Sequence, residues 1–146
     1  GVIQQLTSTS TTYPDRLFFL GGNDMRGWYV QQFIPQDDLD KLTSDPNFTV
    51  TTQPVRGGDL ALVQRFEVRI PVASIFETVL FTDFGNLWRD PKYPFTKGEF
   101  PIRADVGTGL RVKTPIAPIA LDFGFNVTRQ KAFEDPFAFS FSLGLF

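Results

Sequence analysis

From Asp59 onwards the chain switches its residues between two faces at every second position, a period that strands satisfy and helices do not. In the first segment Leu60, Leu62, Phe66, Val68 and Ile70 share one face, while Val63, Arg65, Glu67 and Arg69 share the other. From Glu77 to Trp88 the alternation is weaker: Glu77, Val79, Phe81, Asp83 and Gly85 fall on one side, with Leu80, Thr82, Phe84 and Trp88 opposite. The third segment is the clearest, with Ile102, Ala104, Val106, Leu110 and Val112 alternating with Arg103, Asp105, Gly107, Gly109, Arg111 and Lys113. After the turn Thr114 to Pro118, Ile119, Leu121, Phe123, Phe125 and Val127 alternate with Ala120, Asp122, Gly124 and Asn126. A charged linker, Arg129 to Asp135, leads to Phe137, Phe139, Phe141, Leu143 and Leu145, which alternate with Ala138, Ser140, Ser142 and Gly144.

Segments of about ten residues, oily on one face and polar on the other, suit both a soluble sandwich and a transmembrane β-barrel. The polar face is what distinguishes them. Here it mixes Arg, Glu and Asp with Gly, as a wet and crowded lumen requires, while the oily face carries rings. The 17 Phe against one Met point the same way, since soluble cores draw more on Leu, Ile and Val. No run of about 18 apolar residues suggests a membrane helix, a test that strands escape.

Charge and residue type remove several functions. With 14 basic and 16 acidic side chains, and a net charge of −2, the chain lacks an electrostatic footprint for nucleic acid. The absence of Cys and His removes thiol nucleophiles, imidazole bases and the usual zinc ligand sets, so no cofactor or metal is expected.

Residues 1–58 have a different texture. Val2 to Asp15 is rich in Thr, Ser and Gln and reads as a strand end. Gly21-Gly22-Asn23-Asp24 is a turn signal, and Pro35 to Gly58 carries Asp, Thr, Pro and Gly without periodicity. Together these predict one long loop, with Arg26-Gly27-Trp28 inside it, followed by about five strands over 59–146. Long loops are unusual in compact soluble domains and ordinary on one side of a barrel.

Gly21-Gly22-Asn23-Asp24-Met25-Arg26-Gly27-Trp28 resembles the loop motif of the BamA outer-membrane assembly-factor superfamily, Val/Ile-Arg-Gly-Phe/Tyr after a Gly-Gly, with Met25 and Trp28 as departures. Phe81-Thr82-Asp83-Phe84-Gly85 resembles its Phe-x-Asp-x-Gly strand. Arg103 to Pro118 resembles its Arg-x-Ser-x-Gly-x-Gly strand and the Pro-flanked turn that follows, with Asp105 in place of a small residue and Ala117 in place of Gly. The last segment resembles the C-terminal signal strand of outer-membrane barrels. Phe146 departs there, because it falls on the parity of Ser140, Ser142 and Gly144.

The resemblance implies an all-β, antiparallel barrel of roughly sixteen strands, of which this chain is the C-terminal part in a longer, truncated or processed protein that carries periplasmic POTRA domains. It implies that the loop of Gly21, Gly22, Arg26, Gly27 and Trp28 folds back into the lumen onto Glu67, Phe81, Asp83 and Gly85. Phe137, Phe139, Phe141, Leu143, Gly144 and Phe146 then form the terminal strand and one side of a lateral seam. The implied activity is non-enzymatic insertion of unfolded outer-membrane clients, in the outer membrane of a bacterium or a derived organelle. The bilayer and accessory assembly subunits are its expected partners.

Parity supports part of this independently, because Glu67 and Asp83 both face inward from neighbouring strands and need a cation, for which the planar fork of Arg is suited. Arg65, Arg69 or Arg103 can serve Glu67 instead, and two carboxylates can also form an acid–base pair. A secretion pore of the same superfamily, a passive porin-like barrel and a soluble sandwich are the competing readings.

Overall fold

Five segments rich in Val, Ile, Phe and Thr form strands wherever the two-residue period holds, because a pleated ribbon can give each face a different solvent. The computed structural model describes residues 1–2, 17–45, 47, 57–129 and 134–144. Strands β1 (Leu60–Pro71), β2 (Phe76–Trp88), β3 (Arg103–Val112), β4 (Ile119–Asn126) and β5 (Phe137–Leu143) form one sheet in the order β1-β2-β3-β4-β5, with every neighbouring pair antiparallel. Connections 72–75 and 113–118 are short and lie at one end, while 89–102 and 127–136 are longer and lie at the other. The expected all-β meander, a segment of an antiparallel barrel, is the fold observed.

Register puts the inward residues of all five strands on a common face. Glu67 lies opposite Phe81, Asp83 opposite Asp105, and Phe81 opposite Gly107. The other face exposes Leu62, Phe66, Val68, Leu80, Val106, Phe123, Phe125, Phe139 and Phe141. Phe123 and Phe139 stand opposite each other across β4 and β5, with ring centroids 4.8 Å apart. A soluble protein rarely leaves so broad an apolar surface uncovered, whereas hydrocarbon covers it without penalty. Among the described residues no helix is long and apolar enough to cross a membrane; crossing by strands is the mode this sheet suits.

Two helices interrupt what the sequence reads as loop. Helix α1 (Gln36–Ser44) lies within the stretch Pro35 to Gly58, and α2 (Tyr93–Lys97) lies in the β2–β3 connection. Neither carries an apolar stripe, which is why hydrophobic periodicity misses them. The buried residues of α1 include Asp37 and Asp38 beside Leu39, and these acids hold the helix in place. The Asp37 carboxylate accepts the backbone N–H groups of Arg89 and Asp90, each at 3.0 Å, and Asp38 pairs with the Arg89 guanidinium at 2.8 Å. Burial raises the Asp37 carboxyl above the ordinary aspartate range, with those two backbone hydrogen bonds pulling the other way.

Trp88 is a second correction. Its parity places it on the outer face, yet it is buried, because Phe100 folds over it edge-on at 6.2 Å. The predicted strand end at Val2 to Asp15 lies outside the described residues except for Val2, which bridges to Leu60. Parts of the predicted loop and of the Arg129 to Asp135 linker also lie outside them.

An outer face that meets lipid predicts a specific penalty. Phe123 is 49% exposed on β4, and near the bilayer midplane Phe123→Arg should cost roughly 2–4 kcal/mol. On a water-facing sheet the same change should stay within about 0.5 kcal/mol. Urea titration of the full-length barrel folded into phospholipid vesicles distinguishes the two values.

Candidate functional site

Gly21 and Gly22 open the site by taking backbone angles that side chains resist, with φ of 110° and 66°. A side chain at Gly21 would also collide with the Tyr29 carbonyl. The turn they make is closed by Gly22 N–H donating to the Trp28 carbonyl at 2.7 Å, and Trp28 N–H donates to Met25 at 3.1 Å. The result is a tight excursion that lies against the inner face of the sheet. Leu20, Met25, Trp28 and Phe33 pack there with Ala61 and Leu87, and Phe18 and Val63 flank them.

Arg26 sits at the tip. Its Nε donates to Asp83 Oδ2 and its second terminal nitrogen to Asp83 Oδ1, both at 2.8 Å, a two-pronged pairing. The other terminal nitrogen reaches Glu67 Oε2 at 2.6 Å, and the Arg26 backbone N–H donates to Asp83 Oδ2 at 3.1 Å. One planar cation thus bridges two strands, β1 and β2. Arg26 is 6% exposed and Asp83 is fully buried, so both charges have left water and depend on each other.

The guanidinium also stacks on Phe81, 3.6 Å from the ring centre. Phe81 can lie flat because Gly107, opposite it on β3, has no side chain where the ring sits. Gly124 on β4 does the same for the loop backbone: a Cβ there would overlap the Arg26 carbonyl. Gly85 lies beneath Met25, whose sulfur would be 3.3 Å from an added Cβ.

Neighbouring charges extend the bridge. Glu67 also accepts from Arg69 Nε at 2.7 Å and lies 3.4 Å from Arg111, which pairs with Asp122 at 2.7 Å. Of the local cations considered for Glu67, Arg69 therefore joins Arg26. Arg65 donates instead to the Asn23 carbonyl at 2.6 Å, and Arg103 reaches Glu134 at 2.6 Å. The Glu67 and Asp83 carboxylates, weighed above as an acid–base pair, have Arg26 between them.

Trp28 is tied separately. Its indole N–H donates to Glu134 at 2.9 Å, and Arg103 joins Glu134 to the Ile34 carbonyl at 2.8 Å while stacking 3.5 Å above Phe33. Gly27 contributes its backbone, whose N–H donates to Asp105 Oδ2 at 2.8 Å.

Asp105, Arg111, Glu134 and Gly124 are site residues that sequence reasoning missed. Asp105 stood out only as a departure from a small residue, although its inward parity was on view. The role of Glu134 carries no sequence signal, because its linker has no periodicity.

Of the residues expected on a terminal strand, those as far as Gly144 are described. Phe137, Phe139, Phe141 and Leu143 face outward on β5, and Gly144 leaves the extended backbone with φ of 114°. Phe146 lies outside the described residues.

The family model described as "Omp85 superfamily domain" matches residues 1–146. Among solved structures, the fold is similar to BamA from Haemophilus ducreyi lacking POTRA domains 1–3, with a TM-score of 0.58 and 20% identity over 88% of this chain. The matched region is 27% of that BamA chain, so the present chain spans well under half of its length. No curated protein matches the sequence.

Removing one partner of a buried ion pair strands the other. Arg26→Ala should therefore destabilise the seated loop by about 3–5 kcal/mol, whereas Arg26→Lys should recover only part, since a point charge cannot fork across Asp83 and reach Glu67. Limited proteolysis within residues 17–34 of the folded full-length protein reads this directly: cleavage should be fastest for Ala and intermediate for Lys.

Proposed function

The chain belongs to the Omp85 superfamily, and from that membership and the loop geometry we propose that it is part of an outer-membrane assembly factor that folds client β-barrels into the membrane. The observation that carries this reading is Arg26 held between Asp83 and Glu67, on the inner face of a sheet whose outer face is apolar. Such a loop buttresses the lumenal wall from inside and leaves the outer face to lipid.

The mechanism follows from edges. β5 is seven residues long among the described residues, against twelve for β1 and thirteen for β2, and it forms an edge of the described sheet. A strand whose outer edge parts from its neighbour offers free N–H and C=O groups in a medium that supplies none. An unfolded client strand satisfies them by adding to the edge. The driving force is the client's own backbone pairing and apolar burial, which requires neither nucleotide nor metal. The partners are the bilayer, unfolded outer-membrane proteins and accessory assembly subunits, and the site of action is the outer membrane.

The test is reconstitution of the full-length protein in liposomes with an unfolded barrel client, followed by the heat-modifiable folded fraction over time. Wild type should accelerate client folding, Arg26→Ala should slow it several-fold with the barrel itself still folded, and a disulfide linking β5 to the strand beside it should abolish it. Client folding at the rate of empty liposomes, with transport of a soluble partner protein across the membrane, would replace this reading with the secretion pore.

A further inference from the structure

The β2–β3 connection holds aromatic side chains out of the protein. Phe95 on α2 is 70% exposed, Phe100 is 50% exposed and Ile102 is 57% exposed. They are held there by ordered structure. Tyr93 O–H donates to Asp40 on α1 at 2.9 Å, Asn86 donates to the Pro101 carbonyl at 2.8 Å, Pro94 is buried, and Gly98 closes α2 in a left-handed turn with φ of 68°. Phe95 packs edge-on against Phe100 at 5.1 Å, and Phe100 covers the buried Trp88 at 6.2 Å, so the two exposed rings form a ridge seated on Trp88.

This ridge prolongs the outer face. Phe100 and Ile102 carry the same parity as Ala104 and Val106 on β3. The height of the ridge follows from strand geometry. At a rise of about 3.3 Å and a tilt of about 35–45°, roughly ten residues cross the ~25 Å apolar band of a barrel. Counted from the Lys113–Glu77 ion pair at the short-turn end, that distance ends near Leu87, one residue before Trp88. The rings therefore stand where hydrocarbon gives way to headgroups. Lys97 stands beside them, half exposed, 5.2 Å above the Tyr93 ring and 3.7 Å from Asp40. A half-exposed cation two residues from Phe95 on the same short helix suits a lipid interface, where acyl chains meet phosphates.

We infer that residues 93–102 rest on the bilayer as an interfacial foot, with Phe95 and Phe100 inserted at the acyl–headgroup boundary. This rests on the membrane reading above. Continuity with the outer apolar face and the adjacent cation favour lipid as the occupant over a protein.

Site-directed spin labelling tests it, helped by the absence of cysteine from this chain. Single substitutions Phe95→Cys, Phe123→Cys and Val30→Cys in the full-length protein are labelled in phosphatidylethanolamine–phosphatidylglycerol liposomes, and collision with oxygen is compared with collision with a water-soluble nickel chelate. Position 123 should favour oxygen strongly, position 30 should favour nickel, and position 95 should favour oxygen to an intermediate degree. A label at 95 that matches position 30 while 123 reports lipid overturns the foot and leaves the barrel standing. A label at 95 shielded from both reagents overturns it in favour of a protein partner. A nickel-accessible label at 123 brings down the membrane reading, and the foot with it.

Discussion

The Arg26 guanidinium is the contact on which the rest of the inner face depends. It satisfies both oxygens of Asp83 and one of Glu67, so two carboxylates shielded from water are held by one planar group. Each carboxylate lies on a different strand, and their positions are set by strand register, not by the loop. The sheet therefore provides a two-point receptor, and the loop contributes a fork that fits it. In a low-dielectric setting such a bridge adds little net stability but selects a single placement, because any other seating leaves charges without partners. Phe81 and Gly107 beneath, and Gly124 beside, shape the seat to the thickness of a guanidinium and a peptide.

Most of the sheet was legible because its two faces meet different environments, and the sequence records that difference at every second residue. Glu67 and Asp83 were legible for the same reason: inward charges on adjacent strands demand a counterion. What stayed hidden obeys no period. Helix α1 is held by Asp37 and Asp38 gripping Arg89 and the following backbone, an arrangement in which acids occupy the buried side and hydrophobic periodicity points nowhere. Asp105 was visible as an oddity, but its use, accepting the Gly27 N–H, depends on a loop more than seventy positions away in sequence. Trp88 shows how parity fails at a strand end, where a neighbouring connection can cover a residue that the pleat alone would expose.

Membership of the Omp85 superfamily accounts for the combination of an apolar outer face and a loop seated within. The five described strands form an open sheet, and open edges are not tolerated in hydrocarbon. The sheet is thus intelligible as a wall that other strands complete, consistent with a matched region that covers 27% of the BamA chain. Within that wall the polar side chains form a chain of alternating sign from Asp83 on β2 through Arg26, Glu67 on β1 and Arg111 on β3 to Asp122 on β4. Four strands are thereby linked by side chains as well as by their backbone hydrogen bonds.

The two backbone donors at the loop tip tie it to the wall at more than one point. Arg26 N–H and Gly27 N–H point at Asp83 and Asp105, in the same direction as the guanidinium, and the bare surface of Gly124 lets the peptide between them press directly against β4. These contacts converge on two adjacent residues, so a displacement of the loop along the wall lengthens several of them together. The seating of the loop therefore depends on the whole cluster and not on any single bond. A change at any one of Asp83, Glu67 or Asp105 loosens a loop segment that the other two still hold, and the wall and its lining respond as one unit.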